Sequence, residues 1–144
     1  MNTEILLAKL ELKELVDTFS NLADIKDTKT QVQLFTEDAV VTSHNGNQTF
    51  KQEGHEAIES AFANFLAPFD TVYHLNGQQV VTIDEDKATG TAYCHVVLIG
   101  PNQEEKRIQT TQGVRYEDEY VKVGGQWKIA KRTSYFMYTD SKEV

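Results

Sequence analysis

The sequence predicts an α+β fold in which helices come first and long strands follow. Apolar residues recur at helical spacing through the first quarter of the chain, and only strand signals occur between residues 71 and 138. The four extended runs there exceed the usual strand length of about 5–6 residues. A strongly curved, mainly antiparallel sheet wrapped over a helix needs strands of that length.

Ile5, Ala8, Leu12, Leu15, Val16, Phe19, Leu22 and Ala23 recur at three- and four-residue steps and predict an amphipathic first helix, with Thr3 as its cap. Asp27 fits the N-cap of a short second helix, followed by the apolar Val32, Leu34 and Phe35. The period then changes. Ala39-Val40-Val41-Thr42, the turn Asn45-Gly46-Asn47 and Thr49-Phe50-Lys51 read as a hairpin. A third helix over 55–67 buries Ile58, Ala61, Phe62, Phe65 and Leu66 and stops at Pro68. Strands are expected over 72–83, 88–99, 106–123 and 126–138, with a bulge at Asn76-Gly77 and a tight hairpin turn at Gly124-Gly125. Residues 140–144 read as a frayed tail.

The 144 residues suit a single domain, residues 1–144. A composition that is 40% apolar and 25% charged is that of a soluble globular chain. The formal net charge of −8 repels phosphate and argues against nucleic acid or an anionic membrane as partner. No run approaches the 18 or so apolar residues of a membrane span. The N-terminal residues lack the basic start and apolar run of a signal peptide. Cys94 stands alone, which precludes an intrachain disulfide, and together these features point to the cytoplasm.

Two residue types suggest chemistry. Asp24 lies near the apolar side of the first helix at its end, where a carboxylate needs a partner or water. His74 sits between Tyr73 and Leu75 in a β-rich run, and imidazole exchanges a proton near neutral pH. Only the fold could join two residues so far apart. An adjacent carboxylate raises the pKa of a histidine and burial lowers it; the charge partner is expected to prevail. His44, His55, His74 and His95 lack metal-ligand spacing, and no phosphate loop, nucleophile elbow or Cys-x-x-Cys pair occurs, so no metal or cofactor is expected. Cys94 reads as a small core residue. Phe19, Phe35, Phe62, Phe65, Tyr93, His95 and Tyr116 are the candidate lining of an apolar pocket. Arg132, inside a strand, needs a carboxylate partner; Asp24, Asp27 and Asp118 are the candidates, and either a structural ion pair or a substrate clamp would use it.

Several segments resemble the SnoaL-like domains of the nuclear-transport-factor-2-like, or cystatin-like, superfamily, whose relatives include scytalone dehydratase. They are 19–27, Leu34-Phe35-Thr36-Glu37-Asp38-Ala39, Gly54-His55-Glu56-Ala57-Ile58, Tyr73-His74-Leu75-Asn76, Tyr116-Glu117-Asp118-Glu119-Tyr120, Gly124-Gly125-Gln126-Trp127-Lys128-Ile129 and Arg132, in the family's order over nearly the whole chain. The resemblance implies a cone-shaped α+β barrel with the N-terminal helices in its concave face. It also implies Asp24 and His74 as a cavity-facing acid–base pair. The dehydratase's second histidine maps nearer Ala92 than His95, and Ala23 stands where that enzyme carries a Tyr. The implied activity is dehydration or isomerisation of an apolar, carbonyl-bearing molecule. A non-catalytic ligand-binding module and a small structural subunit like those of ring-hydroxylating oxygenases are the alternatives, since one cone hosts many functions. The apolar outer face of such a sheet would be buried in a two-fold homodimer.

Overall fold

The first helix follows from its apolar spacing. In the computed structural model, which describes residues 2–144, α1 (Thr3–Asp24) buries Ala8, Leu12, Leu15, Val16, Phe19 and Ala23 along one side. Its cap is Asn2 and not Thr3: the Asn2 side chain accepts the Glu4 backbone N–H at 2.8 Å. The first intrahelical bond, from the Leu6 N–H to the Asn2 carbonyl, already places Asn2 at the cap, and its side chain serves the orphan Glu4 N–H. The helix ends in a Schellman arrangement. The Asp27 N–H bonds the Leu22 carbonyl and the Lys26 N–H bonds the Ala23 carbonyl, both at 3.0 Å, with Lys26 at a left-handed φ of 59°. Asp27 then caps α2 (Thr28–Val32) by accepting from the Thr30 N–H at 3.1 Å, which holds its carboxyl below the usual range.

Six strands form one mixed sheet in the order β2-β1-β6-β5-β4-β3, where β1 is Phe35–Asn45, β2 Gln48–Glu53, β3 Thr71–Asp84, β4 Lys87–Pro101, β5 Arg107–Val123 and β6 Gln126–Glu143. Between the two short strands and β3 runs α3 (Gly54–Leu66). Every neighbouring pair is antiparallel except β1 and β6. The sheet does not close: β2 and β3 remain its two edges, so the cone expected from the resemblance is an open one. The turn between β5 and β6 uses Gly124 at φ 57° and Gly125 at φ 81°, the two positive values that a type I′ hairpin demands.

Two boundaries differ from the sequence expectation. β1 starts at Phe35, four residues early, because Phe35 pairs with Ile129; the ladder then skips to Val40 opposite Lys131. Residues 36–38 include Glu37 and Asp38, which have low strand propensity, and the ladder skips them; the paired Phe35 and Val40 on either side hold them extended. The tail also pairs: β6 continues to Glu143, opposite Ile108 of β5, and the Thr110 and Ser141 hydroxyls meet at 3.0 Å. Its polar residues suggested fraying, but the length of β5 supplies a ladder for them. The bulge in β3 lies between Asn76 and Gln79, as the Asn76-Gly77 pair suggested.

The core fills the space between α1, α3 and the inward residues of β3 to β6, where Leu12, Ile58 and Ile129 are wholly buried. Trp127, two residues before Ile129 on the same face, is 6% exposed. Replacing a buried aromatic by Ala leaves a cavity, so Trp127→Ala should cost about 3–5 kcal/mol. Denaturant unfolding of both proteins measures this; an unchanged midpoint at unchanged slope would place the indole outside the core.

Candidate active site

The end of α1 and the inward face of β3 meet. The Schellman turn sets Asp24 in the last turn of α1, and the alternation of β3 turns Val72, His74 and Asn76 inward while Tyr73 and Leu75 face out. His74 Nδ1 and Asp24 Oδ1 lie 2.7 Å apart across 50 residues of sequence, with side-chain exposures of 8% and 26%. With Nδ1–H donating to the carboxylate, neutral His74 keeps an unprotonated Nε2 as its basic atom. The geometry therefore joins the two residues singled out in the sequence, while the balance of the pKa effects is the reverse of the expected one. Burial pushes the His74 pKa below its ordinary 6.5, outweighing the hydrogen bond and charge of Asp24, and the Arg132 charge lowers it further. Nearly complete desolvation of the imidazole is the physical reason.

Arg132 takes Asp118 as its partner. Its Nε donates to Oδ1 and its Nη2 to Oδ2, both at 2.8 Å, with both side chains essentially fully buried. The Tyr120 hydroxyl is a third donor to this carboxylate, reaching Oδ2 at 2.6 Å. The guanidinium also packs on Tyr116 at 3.7 Å and on Phe19 at 4.5 Å from the ring centroids. Burial pushes the Tyr116 and Tyr120 phenols up. It pushes Cys94 up to about 11, so this thiol stays protonated and packs as a core residue.

Phe19 is the centre of an aromatic cluster, with Phe62, Phe35 and Tyr116 at centroid distances of 5.7, 5.9 and 6.4 Å. Phe65 is 45% exposed and stacks edge-on with Phe69. Tyr93 and His95 do not join the cluster. Both are exposed on the outer face of β4, because the buried Ala92, Cys94 and Val96 take its inward positions. That alternation was present in the sequence, and placing Cys94 in the core would already have turned His95 out.

Four further polar residues, Asp17, Ser20, Asn76 and Gln79, tie α1 to β3 near the pair, and none of them was a candidate site residue in the sequence. Ser20 donates to Asn76 Oδ1 at 2.9 Å, and Asn76 Nδ2 donates to Asp17 Oδ1 at 2.9 Å, which fixes α1 on β3 one turn from Asp24. Gln79, beyond the bulge, reaches the Leu12 carbonyl at 3.3 Å. For Asn76, its inward alternation with His74 was the available signal. Two grooves of about 440 and 470 Å³ lie over outward residues of the sheet, including Thr82, Thr89 and Glu119, and neither is lined by Asp24 or His74. Among the described residues no cluster of His, Cys, Asp and Glu could hold a metal ion, and no helix is long and apolar enough to cross a membrane.

Comparison with known proteins decides the family, since the sequence profile of the SnoaL-like domain matches residues 4–133. The chain belongs to the SnoaL-like family. No curated protein matches it. Among solved structures, this SnoaL-like domain is similar to a Novosphingobium aromaticivorans protein provisionally described as a scytalone dehydratase, at TM-score 0.86 and 21% identity, covering 100% of this chain and 93% of that one. It is similar to a second protein of that organism, provisionally described as an aromatic ring hydroxylase, at TM-score 0.77 and 23% identity, covering 94% and 92%. A Nostoc punctiforme protein of unknown function with a cystatin-like fold matches at TM-score 0.70 and 25% identity, covering 90% and 91%. These likenesses show the fold, which is the cystatin-like α+β arrangement.

The pair has a titration signature. Because Asp24 favours the charged imidazole, Asp24→Asn should lower the His74 pKa below its already depressed value while the near-isosteric side chain preserves packing. Histidine-resolved NMR titration of both proteins reads this directly, and identical His74 curves would show that the carboxylate does not act on the ring. The same depression has a sign in stability. As pH falls through about 6.5 the unfolded chain takes up the proton before the folded one, so the contribution of neutral His74 is whole above that value and declines below it.

Proposed function

We propose that this SnoaL-like domain is a small-molecule enzyme of the lyase or isomerase type, working by His/Asp acid–base chemistry on an apolar, carbonyl-bearing substrate. The hydrogen bond between Asp24 and His74 carries the proposal. In this reading Nε2 of His74 takes a proton from the carbon next to the substrate carbonyl. The C–H electron pair becomes the C=C bond of the enolate, the carbonyl π pair moves onto the oxygen, and Asp24 steadies the imidazolium through Nδ1–H. The proton then returns from Nε2, either to another carbon, which is isomerisation, or to a departing hydroxyl, which completes dehydration. The depressed pKa of His74 supports the role of base, since the ring is neutral at pH 7. The structural likeness to the Novosphingobium protein provisionally described as a scytalone dehydratase fits the same reaction class.

Exchange of substrate hydrogen tests the reading without knowledge of the product. In D2O the protein should accelerate loss of α-protons from a panel of cyclic ketones, followed by NMR. His74→Gln should reduce the acceleration by about 10²–10⁴-fold, the usual contribution of a general base. A second reading, a binding module without turnover, draws on the position of the grooves away from the pair. Saturable ketone binding with no acceleration of exchange would establish that second reading in place of the first.

We place the protein in the cytoplasm as a homodimer. Tyr73, Leu75 and Tyr138 are all more than half exposed on the outer sheet face, and a two-fold contact would cover them. Sedimentation at micromolar concentration should show twice the chain mass of 16.3 kDa, and Leu75→Glu should shift it to the monomer. A wild-type monomer at that concentration overturns the dimer.

A further inference from the structure

The side chains of His74 and Asp24 are 8% and 26% exposed, and neither groove on the sheet is lined by them. A small molecule therefore reaches Nε2 of His74 only when a neighbouring segment gives way. Most segments beside the pair are held from inside. α1 is tied to β3 through Asn76, whose partners include Ser20 and Asp17, and β3 is laddered to β4. α2 is anchored by the buried Gln31, which donates to the Phe19 carbonyl at 3.1 Å. Residues 67–70, which lead from α3 into β3, are held differently. Two exposed charged groups latch them. Lys26, two residues beyond Asp24, donates to the Phe69 carbonyl, and Arg107 at the start of β5 grips Asp70 with bonds of 2.8 and 3.0 Å. Arg107 and Asp70 are 50% and 52% exposed. Their seat on the sheet is close: a Cβ added at Gly100 of β4 would meet the Pro68 carbonyl oxygen at 2.5 Å and the Phe69 Cα at 3.0 Å. Phe69 itself packs edge-on against Phe65 and on the core.

We propose that residues 67–70 are a strap that gates access to the Asp24–His74 pair, opening when Lys26 and Arg107 let go and lifting Phe69 off the core. This rests on the reading of that pair as the reacting centre and adds how a substrate reaches it. Exposed ion pairs hold weakly and are screened by salt, whereas the buried bonds around the strap are not. The strap is therefore the element that opens at the lowest cost, and access loops are drawn from such elements. The Arg107 hydrogen bond holds the Asp70 carboxyl below its usual range, so the latch stays charged through neutral pH and salt is what loosens it.

Diethyl pyrocarbonate, a small reagent that acylates unprotonated imidazole, reads the gate. Burial keeps His74 neutral at pH 7, and His95, exposed on β4, is an internal reference in the same chain. Peptide mass spectrometry follows each histidine separately. Arg107→Met should speed the modification of His74 by about 3-fold and Lys26→Met/Arg107→Met by about 10-fold, in keeping with the strength of exposed charged contacts. The rate at His95 and the unfolding midpoint should stay unchanged. Hydrogen exchange at the Asp70 amide, which bonds the Ile99 carbonyl in the closed strap, should rise by the same factors. Added salt should speed labelling of His74 in the wild type and not in the double variant. The gate is overturned if His74 reacts equally fast in wild type and double variant, if the Asp70 amide loosens without any change at His74, or if the faster labelling comes with an equivalent fall in the unfolding midpoint. Turnover is read separately by α-proton exchange. Labelling that follows the latches without ketone exchange keeps the gate and removes the catalytic reading; ketone exchange with labelling indifferent to the latches does the opposite.

Discussion

The ion pair between Arg132 and Asp118 is the constraint on which the rest of the structure depends. The two residues stand directly opposite each other on β5 and β6, both facing inward. A slip of one residue in either strand would turn one charge to the outside and strand the other in the core. Removing one partner leaves an uncompensated buried charge, which typically costs about 3–5 kcal/mol. Burial opposes the Arg132 charge, and the Asp118 carboxylate more than offsets it, so the guanidinium is permanently ionised. The pair thus sets the register of the two longest strands. Through Phe19 and Tyr116 it also fixes the aromatic cluster against α1.

The Asp24–His74 contact depends on that placement at one remove. α1 reaches β3 through Asn76, which joins Ser20 and Asp17, and through Gln79, which holds the Leu12 carbonyl. Those bonds fix the helix along its axis, and the Schellman turn fixes its last residues. Lys26 accepts a left-handed backbone there, a conformation that disfavours side chains, and its ammonium bonds the Phe69 carbonyl. The helix end is therefore held from both sides: by its own terminal hydrogen bonds and by the loop that leads into β3.

Much of this was legible in the sequence, for identifiable reasons. The buried side of α1, the bulge after Asn76 and the Gly124-Gly125 turn are local features, and local spacing or backbone demand shows them. Asp24 and His74 were legible through likeness to a family, since nothing in their spacing brings them together. Other features depend on tertiary context. The start of β1 at Phe35 and the pairing of 140–143 arise from neighbouring strands. The choice of Asp118 for Arg132 among three carboxylates is a matter of cross-strand register. The sign of the His74 shift follows from how completely the ring is desolvated, which no sequence pattern reports. The outward facing of Tyr93 and His95 was decidable from alternation alone once Cys94 was taken as buried.

The parallel pairing of β1 with β6 has a bearing on how the protein is made. β6 is the last of the six strands in the chain, yet it lies in the middle of the sheet, between β1 and β5. The β1–β2 hairpin therefore has no sheet to join until β6 has emerged from the ribosome, and contacts as distant in sequence as Phe35 with Ile129 must close. Such non-local closure slows folding. During synthesis the hairpin and α1 wait with apolar surface uncovered, the interval in which chaperone binding or misassociation has its opportunity.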